Sequence, residues 1–288
     1  MKLMIAYDGS ECSDRALLDL LVSGLPAEVE AVVVSVAERW LPPPSAASLE
    51  QPAEGARPGL EQASDLAARA CARLAELFPR WDIRAVVPKG SPASQILEDA
   101  EAWNPDLVVV GSHGRSGLTR LLIGSVSAKV SAASSSSVRV SRGRLLDRER
   151  PVRLLIGLDS SEGAQRAVHT VMQRKWPEGS VALILTAVDP SVDGSPARDA
   201  EAGWIELLQR TAEAELRSAG LTVERRVAEG DPRRLLPQAA SEWRADCVFV
   251  GSHGHGRLRR MFMGSVASAV ASRSECSVEI VRDASAVH

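Results

Sequence analysis

Two tandem open-sheet α/β domains are the fold this 288-residue sequence predicts, on three observations: its length, an internal repeat, and the alternation of strand-sized apolar runs with helical patterns. At ~100 to 200 residues per domain, the length leaves room for two. The repeat is dense. GSHG at 111–114 recurs at 251–254, and at the same spacing Gly90-x-Pro92 meets Gly230-x-Pro232, Trp103 meets Trp243, Asp106 meets Asp246, and Gly124-Ser125-Val126 meets Gly264-Ser265-Val266. Nearer the start MIAYD at 4–8 is answered by LIGLD at 155–159, a wider offset, so the first repeat holds roughly 11 more residues. The surplus fits the Pro- and Ala-rich stretch 41–58, read as an irregular loop. The domains are bounded at 1–144 and 151–284, and SRGRLLDRERP at 141–151 reads as a solvated linker.

Each repeat supplies five strands. Those of the first are expected at 2–7, 29–36, 83–87, 107–110 and 137–141, and those of the second at 153–158, 181–188, 222–227, 247–250 and 277–281. The first helix starts at Ser10 or Ser13, with Ser160 or Ser161 as the counterpart, because a serine oxygen there accepts from a free helix N–H. Ser91-Pro92 and Asp231-Pro232 open the third helix of each repeat, a cap followed by proline where its missing N–H costs nothing. Ile96, Ala100 and Trp103, and later Leu236, Ala240 and Trp243, form one buried stripe, so both tryptophans are expected in the core. A fourth helix begins at Ser125 and Ser265.

Composition narrows the function. Against 34 basic residues stand 37 acidic ones, a net charge of −3, so no positive field exists to hold nucleic acid or an anionic membrane. The four cysteines Cys12, Cys71, Cys247 and Cys276 form no CxxC pair, and buried free thiols in a reducing compartment are expected. The apolar runs fall well short of the ~20 residues of a membrane span, and no secretory signal opens the chain, which places the protein in the cytoplasm.

The chemistry concentrates in one duplicated pattern, G-x-x-G, nine residues, then G-S: Gly111, Gly114, Gly124-Ser125, and Gly251, Gly254, Gly264-Ser265. It follows a buried strand and precedes a helix, whose unpaired N–H groups favour an anion without any lysine; phosphate is the natural guest. The glycines are expected to let the backbone approach the ligand and to adopt positive φ where the loop turns. Asp8 and Asp159, at the end of the first strand of each repeat, either cap the first helix or accept a bond from a ligand amine or hydroxyl, and beside the glycine loop ligand contact is the reading taken. His113 and His253 stand without metal-ligand spacing and are read as loop or phosphate contacts. No phosphate loop of the GKS/T kind and no early dinucleotide glycines are present, which argues against ordinary kinases, NTPases and dehydrogenases.

These residues resemble the tandem universal stress proteins of the ATP-binding kind, over both halves of the chain. GSHGRSGLTRLLIGS and GSHGHGRLRRMFMGS both satisfy that family's G-2x-G-9x-G-[ST] motif, and Asp8-Gly9-Ser10 is similar to its first-strand ending, with Asp159-Ser160-Ser161 a mild departure. The resemblance implies an adenine nucleotide alpha hydrolase-like fold with a five-stranded parallel sheet in order 3-2-1-4-5. It implies a nucleotide site lined by Asp8, Val36, Gly111, His113, Gly114, Gly124, Ser125 and Val126. In the second repeat the matching positions are Asp159, Ala187, Gly251, His253, Gly254, Gly264, Ser265 and Val266. Family members pair through their fifth strands, which implies an intrachain pairing of the repeats or a homodimer; here Arg139 and Glu279 interrupt the usual apolar run and face each other if the halves pair within one chain.

The function expected is that of an ATP-binding stress-response or sensor module, with Mg²⁺ on the triphosphate and slow or absent hydrolysis, since no residue stands as a general base for water. No catalytic residue and no resident metal ligand is assigned. Two alternatives stand beside it: a nucleotide-handling hydrolase or transferase using His113 or His253, and a partner-binding module with vestigial pockets.

Overall fold

The computed structural model describes residues 1–38, 57–113, 123–142, 150–188, 196–254 and 263–283. The first half runs β1 (Lys2–Ala6), α1 (Glu11–Asp19), β2 (Glu30–Val34), β3 (Ala37–Glu38), α2 (Arg57–Leu77), β4 (Asp82–Val86), β5 (Lys89–Gly90), α3 (Pro92–Trp103), β6 (Leu107–Gly111), α4 (Ser125–Ala133) and β7 (Ser137–Ser141). The second runs β8 (Arg153–Gly157), α5 (Glu162–Met172), β9 (Val181–Val188), α6 (Pro196–Ser218), β10 (Thr222–Glu229), α7 (Pro232–Glu242), β11 (Cys247–Gly251), α8 (Ser265–Arg273) and β12 (Ser277–Val281). β3 and β5, absent from the sequence reading, form a separate two-stranded ladder. The expected loop at 41–58 lies mostly outside the described residues, but its last two positions belong to the start of α2.

Local chemistry sets the helix starts. Ser10 Oγ accepts from Ser13 N at 3.2 Å and Ser161 Oγ from Ala164 N at 3.2 Å, which selects between the serines offered by sequence. Asp231 caps α7 through Arg233 N at 2.9 Å, whereas Ser91 makes no such side-chain bond before Pro92. Leu3 and Ile5 point to the face covered by α1 and α2, and Met4 to the face covered by α3 and α4, the period-2 alternation of a strand buried on both sides. Trp243 is buried as expected; Trp103 is only half-buried, with Lys2 and Arg84 over its ring. Of the four free cysteines, Cys247 and Cys276 are buried and Cys12 and Cys71 half-buried, so the expectation of buried thiols holds for two.

Each half orders its strands 3-2-1-4-5, and the two sheets join into one of ten strands, β10-β9-β8-β11-β12-β7-β6-β1-β2-β4. The join is an antiparallel ladder in which Glu279 faces Arg139 between Val278–Val140 and Ile280–Val138. Both charges are buried, at 0% and 1% exposure. Arg139 Nε donates to Asp19 at 2.8 Å and its Nη1 to Glu279 at 3.3 Å, and Arg174 also donates to Glu279 at 2.9 Å. Two acids and two bases thus close a neutral network, with Ser141 and Ser277 hydroxyls completing the Asp19 carboxylate at 2.7 and 2.9 Å.

A pair of arginines after the fifth strands reinforces the seam. Arg142 donates to Ala271 O at the end of α8 at 2.8 Å, and Arg282 donates to Ser131 O at the end of α4 and to Ser136 O just before β7, each cation on the other half's helix C-terminus. Arg142 therefore departs from the solvated linker expected of 141–151: burial holds its pKa below the usual guanidinium range. Positions 143–149 lie outside the described residues. Among the described residues no helix is long and apolar enough to cross a membrane.

Candidate functional site

One cavity opens at the carboxyl end of the sheet in each half, about 360 Å³ in the first and about 320 Å³ in the second. Both volumes suit a small organic ligand, for which ~300 to 1,000 Å³ is usual. Each lies where β1 is flanked by β2 and β6, or β8 by β9 and β11, the point at which the strand order reverses. The first cavity gathers Asp8, Val36, Gly111 and His113 with Gly124, Ser125 and Val126. The second gathers Asp159, Ala187, Gly251, His253, Gly254 and Val266; Gly264 and Ser265 stand at the start of α8 without lining it. Gly114 lies outside the described residues, as do Arg115, Arg120, His255, Arg257 and Arg260.

The start of α4 is built to leave donors open. Gly124 occupies the cap position of α4 and Gly264 that of α8, and neither helix has a side-chain cap, unlike α1, α5 and α7. The Gly124 and Gly264 amides are themselves consumed, donating to Ser112 O and Ser252 O at 2.7 Å, which pins the helix start to the strand end. The first-turn amides that follow have no carbonyl within the helix to meet. In the first half Ser127 Oγ adds a bond to Gly111 O at 2.5 Å.

The glycines act differently from the expectation. Gly124 has φ −62 and Gly264 φ −63, and neither Gly111 nor Gly251 is among the positive-φ residues. Their constraint is close approach to protein. A Cβ at Gly111 would stand 3.2 Å from Cys12 C and O, and one at Gly251 only 2.4 Å from Gly163 C, so these glycines seat the first helix on the fourth strand. Positive φ is needed instead at Gly9, φ +75, between Asp8 and Ser10. The equivalent Ser160 is not among the positive-φ residues.

Asp8 serves the turn it was offered for: its Oδ1 accepts from Ser10 N at 3.0 Å, and Asp159 Oδ1 accepts from Ser161 N at 2.9 Å. Both carboxylates also line their cavities, so capping and access to a ligand reside in one residue. His113 Nδ1 lies 3.1 Å from Ser112 Oγ and His253 Nδ1 3.0 Å from Ser252 Oγ, while each Nε2 is buried with no partner among the described residues. Burial, then the nearby Arg142, lowers the His113 pKa below the ordinary imidazole range, so the ring is neutral at pH 7. In the tautomer whose Nδ1 accepts from the serine hydroxyl, Nε2 carries the proton and is a donor.

Sequence reasoning missed several lining residues. Tyr7 and Glu38 border the first cavity, Thr186 and Trp204 the second, and Pro92 and Pro232 one each. The prolines were recognised only as helix starts. Trp204 carries no motif, and its one signal is a large aromatic with no partner in the other repeat. Among the described residues, no three His, Cys, Asp or Glu side chains cluster to hold a metal.

The Universal stress protein family model matches residues 1–142 and again residues 152–282, and the chain belongs to that family. It is 29% identical over 301 residues to a universal stress protein of Mycolicibacterium smegmatis, covering 97% of this chain and 96% of that one. A universal stress protein of Mycobacterium tuberculosis is 27% identical over 299 residues, with 97% and 96% covered. In structure the chain is similar to a universal stress protein from Archaeoglobus fulgidus, with TM-score 0.68, 22% identity, and 98% of this chain and 96% of that one covered, a likeness of fold.

Proposed function

We propose that each half binds an adenine nucleotide, ATP with Mg²⁺, and that the protein works as a nucleotide-dependent stress-response or sensor module with slow or absent hydrolysis. The observation that carries this is the duplicated cavity at the switch point of the sheet, bordered on one side by a helix start with no side-chain cap. The phosphates sit at the α4 and α8 N-termini, where amides and the helix dipole favour negative charge. His113 and His253 donate from Nε2 in the tautomer whose Nδ1 accepts from the neighbouring serine. Asp8 in the first cavity, which Glu38 also borders, and Asp159 in the second offer few carboxylates, which suits an ion arriving on the triphosphate, since Mg²⁺ keeps waters and phosphate oxygens as most of its ligands. When bound, Mg²⁺ would neutralise charge on the phosphates. No cavity residue is assigned as a base for water, and that supports binding over turnover.

Calorimetric titration with ATP, ADP, AMP and cyclic AMP tests the reading on wild type, Ser125→Asp and Ser265→Asp. Both serines are exposed at the first helical position, where an acid suits the dipole, so the fold is kept while phosphate is repelled. Two sites in wild type and one in each variant are expected. Failure of every nucleotide to bind at millimolar concentration would favour the partner-binding alternative. Unchanged binding in both variants would place the phosphate elsewhere. Steady release of phosphate, abolished by His→Ala with binding retained, would favour an enzyme.

A further inference from the structure

The geometry points to Trp204 as a base-stacking residue that makes the second cavity the more selective for a nucleobase; this rests on the nucleotide reading above. Trp204 is 44% exposed, on the solvent side of α6, yet it lines the cavity beside Thr186, Ala187 and Val188 at the end of β9. The core is not what it serves, because its neighbour Ile205 is the buried residue at 7% exposure. A half-exposed indole leaves a broad apolar face in water, and a planar ring laid on it removes that face from solvent.

Position within the cavity selects the end of the ligand. β9 and β11 flank β8, so at the ~4.8 Å strand spacing their ends lie about 10 Å apart. Gly251, His253 and Gly254 line the β11 side, which takes the phosphates. Trp204 stands on the β9 side, where the base of the same nucleotide would reach. Among the described residues the first half has no counterpart: buried Ala70 and Leu74 of α2 answer Ala212 and Leu216 of α6, which puts exposed Gln62 opposite Trp204, and Gln62 is not part of the first cavity. Stacking on an aromatic side chain is tolerant of base identity and grows with ring area, so purines gain more than pyrimidines.

Full-length wild type, Trp204→Gln and Trp204→Phe are titrated with ATP and with ribose 5-phosphate, which lacks a base, while tryptophan fluorescence is followed. Trp204→Gln borrows the residue of the other repeat, and because the site is exposed the fold is kept, which circular dichroism checks. Expected are a ~5- to 150-fold loss of ATP affinity at one of two sites in Trp204→Gln, a smaller loss in Trp204→Phe, and unchanged affinity for ribose 5-phosphate. ATP should quench a fluorescence component that Trp204→Phe lacks, and ribose 5-phosphate should not. ATP binding to two sites with affinities indifferent to the substitution overturns the stacking role and leaves the nucleotide reading standing. No ATP binding to wild type overturns both.

Discussion

The two halves share strand order, the glycine motif and the bonds that hold the turn after the first strand and the start of the fourth helix, but differ in how the first helix meets the fourth strand and in several side chains at the cavity. In the first, Cys12 lies over Gly111, Gly9 needs positive φ, and Tyr7 at the cavity donates to Asp14 at 2.5 Å. In the second, Gly163 replaces Cys12 and lets α5 come closer to Gly251, Ser160 replaces Gly9, and Leu158 replaces Tyr7. What survives duplication is the backbone bonding that sets the turn after the first strand and the start of the fourth helix; what varies is the packing of the first helix on the fourth strand and the side chains at the cavity. A helix N-terminus recognises an anion through backbone, which any sequence provides, whereas a base or sugar is recognised through side chains that are free to change.

The seam breaks the symmetry hardest, and the largest effect is expected there. Arg139 and Glu279 occupy equivalent positions with opposite charge, and each half supplies one further partner that the other lacks: Asp19 against Thr170, and Arg174 against Ser23. Arg139→Leu would leave Asp19 and Glu279 buried with one fewer cation between them, costing about 3–5 kcal/mol, read from urea unfolding midpoints. A loss under about 1 kcal/mol would mean that the serines and Arg174 satisfy the acids without it.

The contrast between Gly251 and Gly111 comes next. Alanine at Gly251 drives a Cβ to 2.4 Å from backbone that cannot rotate away, and about 3 kcal/mol of destabilisation is expected. Alanine at Gly111 meets backbone at 3.2 Å, and a shift of a few tenths of an ångström in α1 accommodates it for about 1 kcal/mol. Equal losses in the two variants would show that the closer helix in the second half is not what its glycine pair provides.

These contacts mark where the sequence was legible. Strand positions and helix starts followed from periodicity and capping residues, because such signals are local; the strand order and the pairing of the fifth strands came only through the family resemblance that the repeated motif carries. Gly111, Gly124, Gly251 and Gly264 were recognised but not the φ they adopt, and at Gly111 and Gly251 spacing shows that a side chain is excluded, not that the first turn of α1 or α5 stands against it. Asp19, Arg174 and Arg142 were invisible as partners, since contacts between residues more than a hundred positions apart leave no periodic trace. Trp204 escaped for the opposite reason, as comparison of repeats highlights what they share and passes over what one has alone.

The smallest effect sharpens the polar side of the first cavity. Burial, then the bond to Asp14, raises the Tyr7 pKa to about 12, and Tyr7 is the one tyrosine in the chain, so its ionisation can be followed by tyrosinate absorbance without ambiguity. A folded pKa above the unfolded value of ~10 means that the protonated phenol favours the fold. Its contribution is complete below pH ~10 and is lost as pH rises through about 12. Tyr7→Phe should cost about 1 kcal/mol at neutral pH and flatten the decline in stability over that alkaline window. Asp14→Asn should move the absorbance midpoint back toward 10 while nucleotide binding at the second half is unchanged. A midpoint already near 10 in wild type would show that the phenol is solvated, and the contrast with Leu158 would then carry no energetic weight.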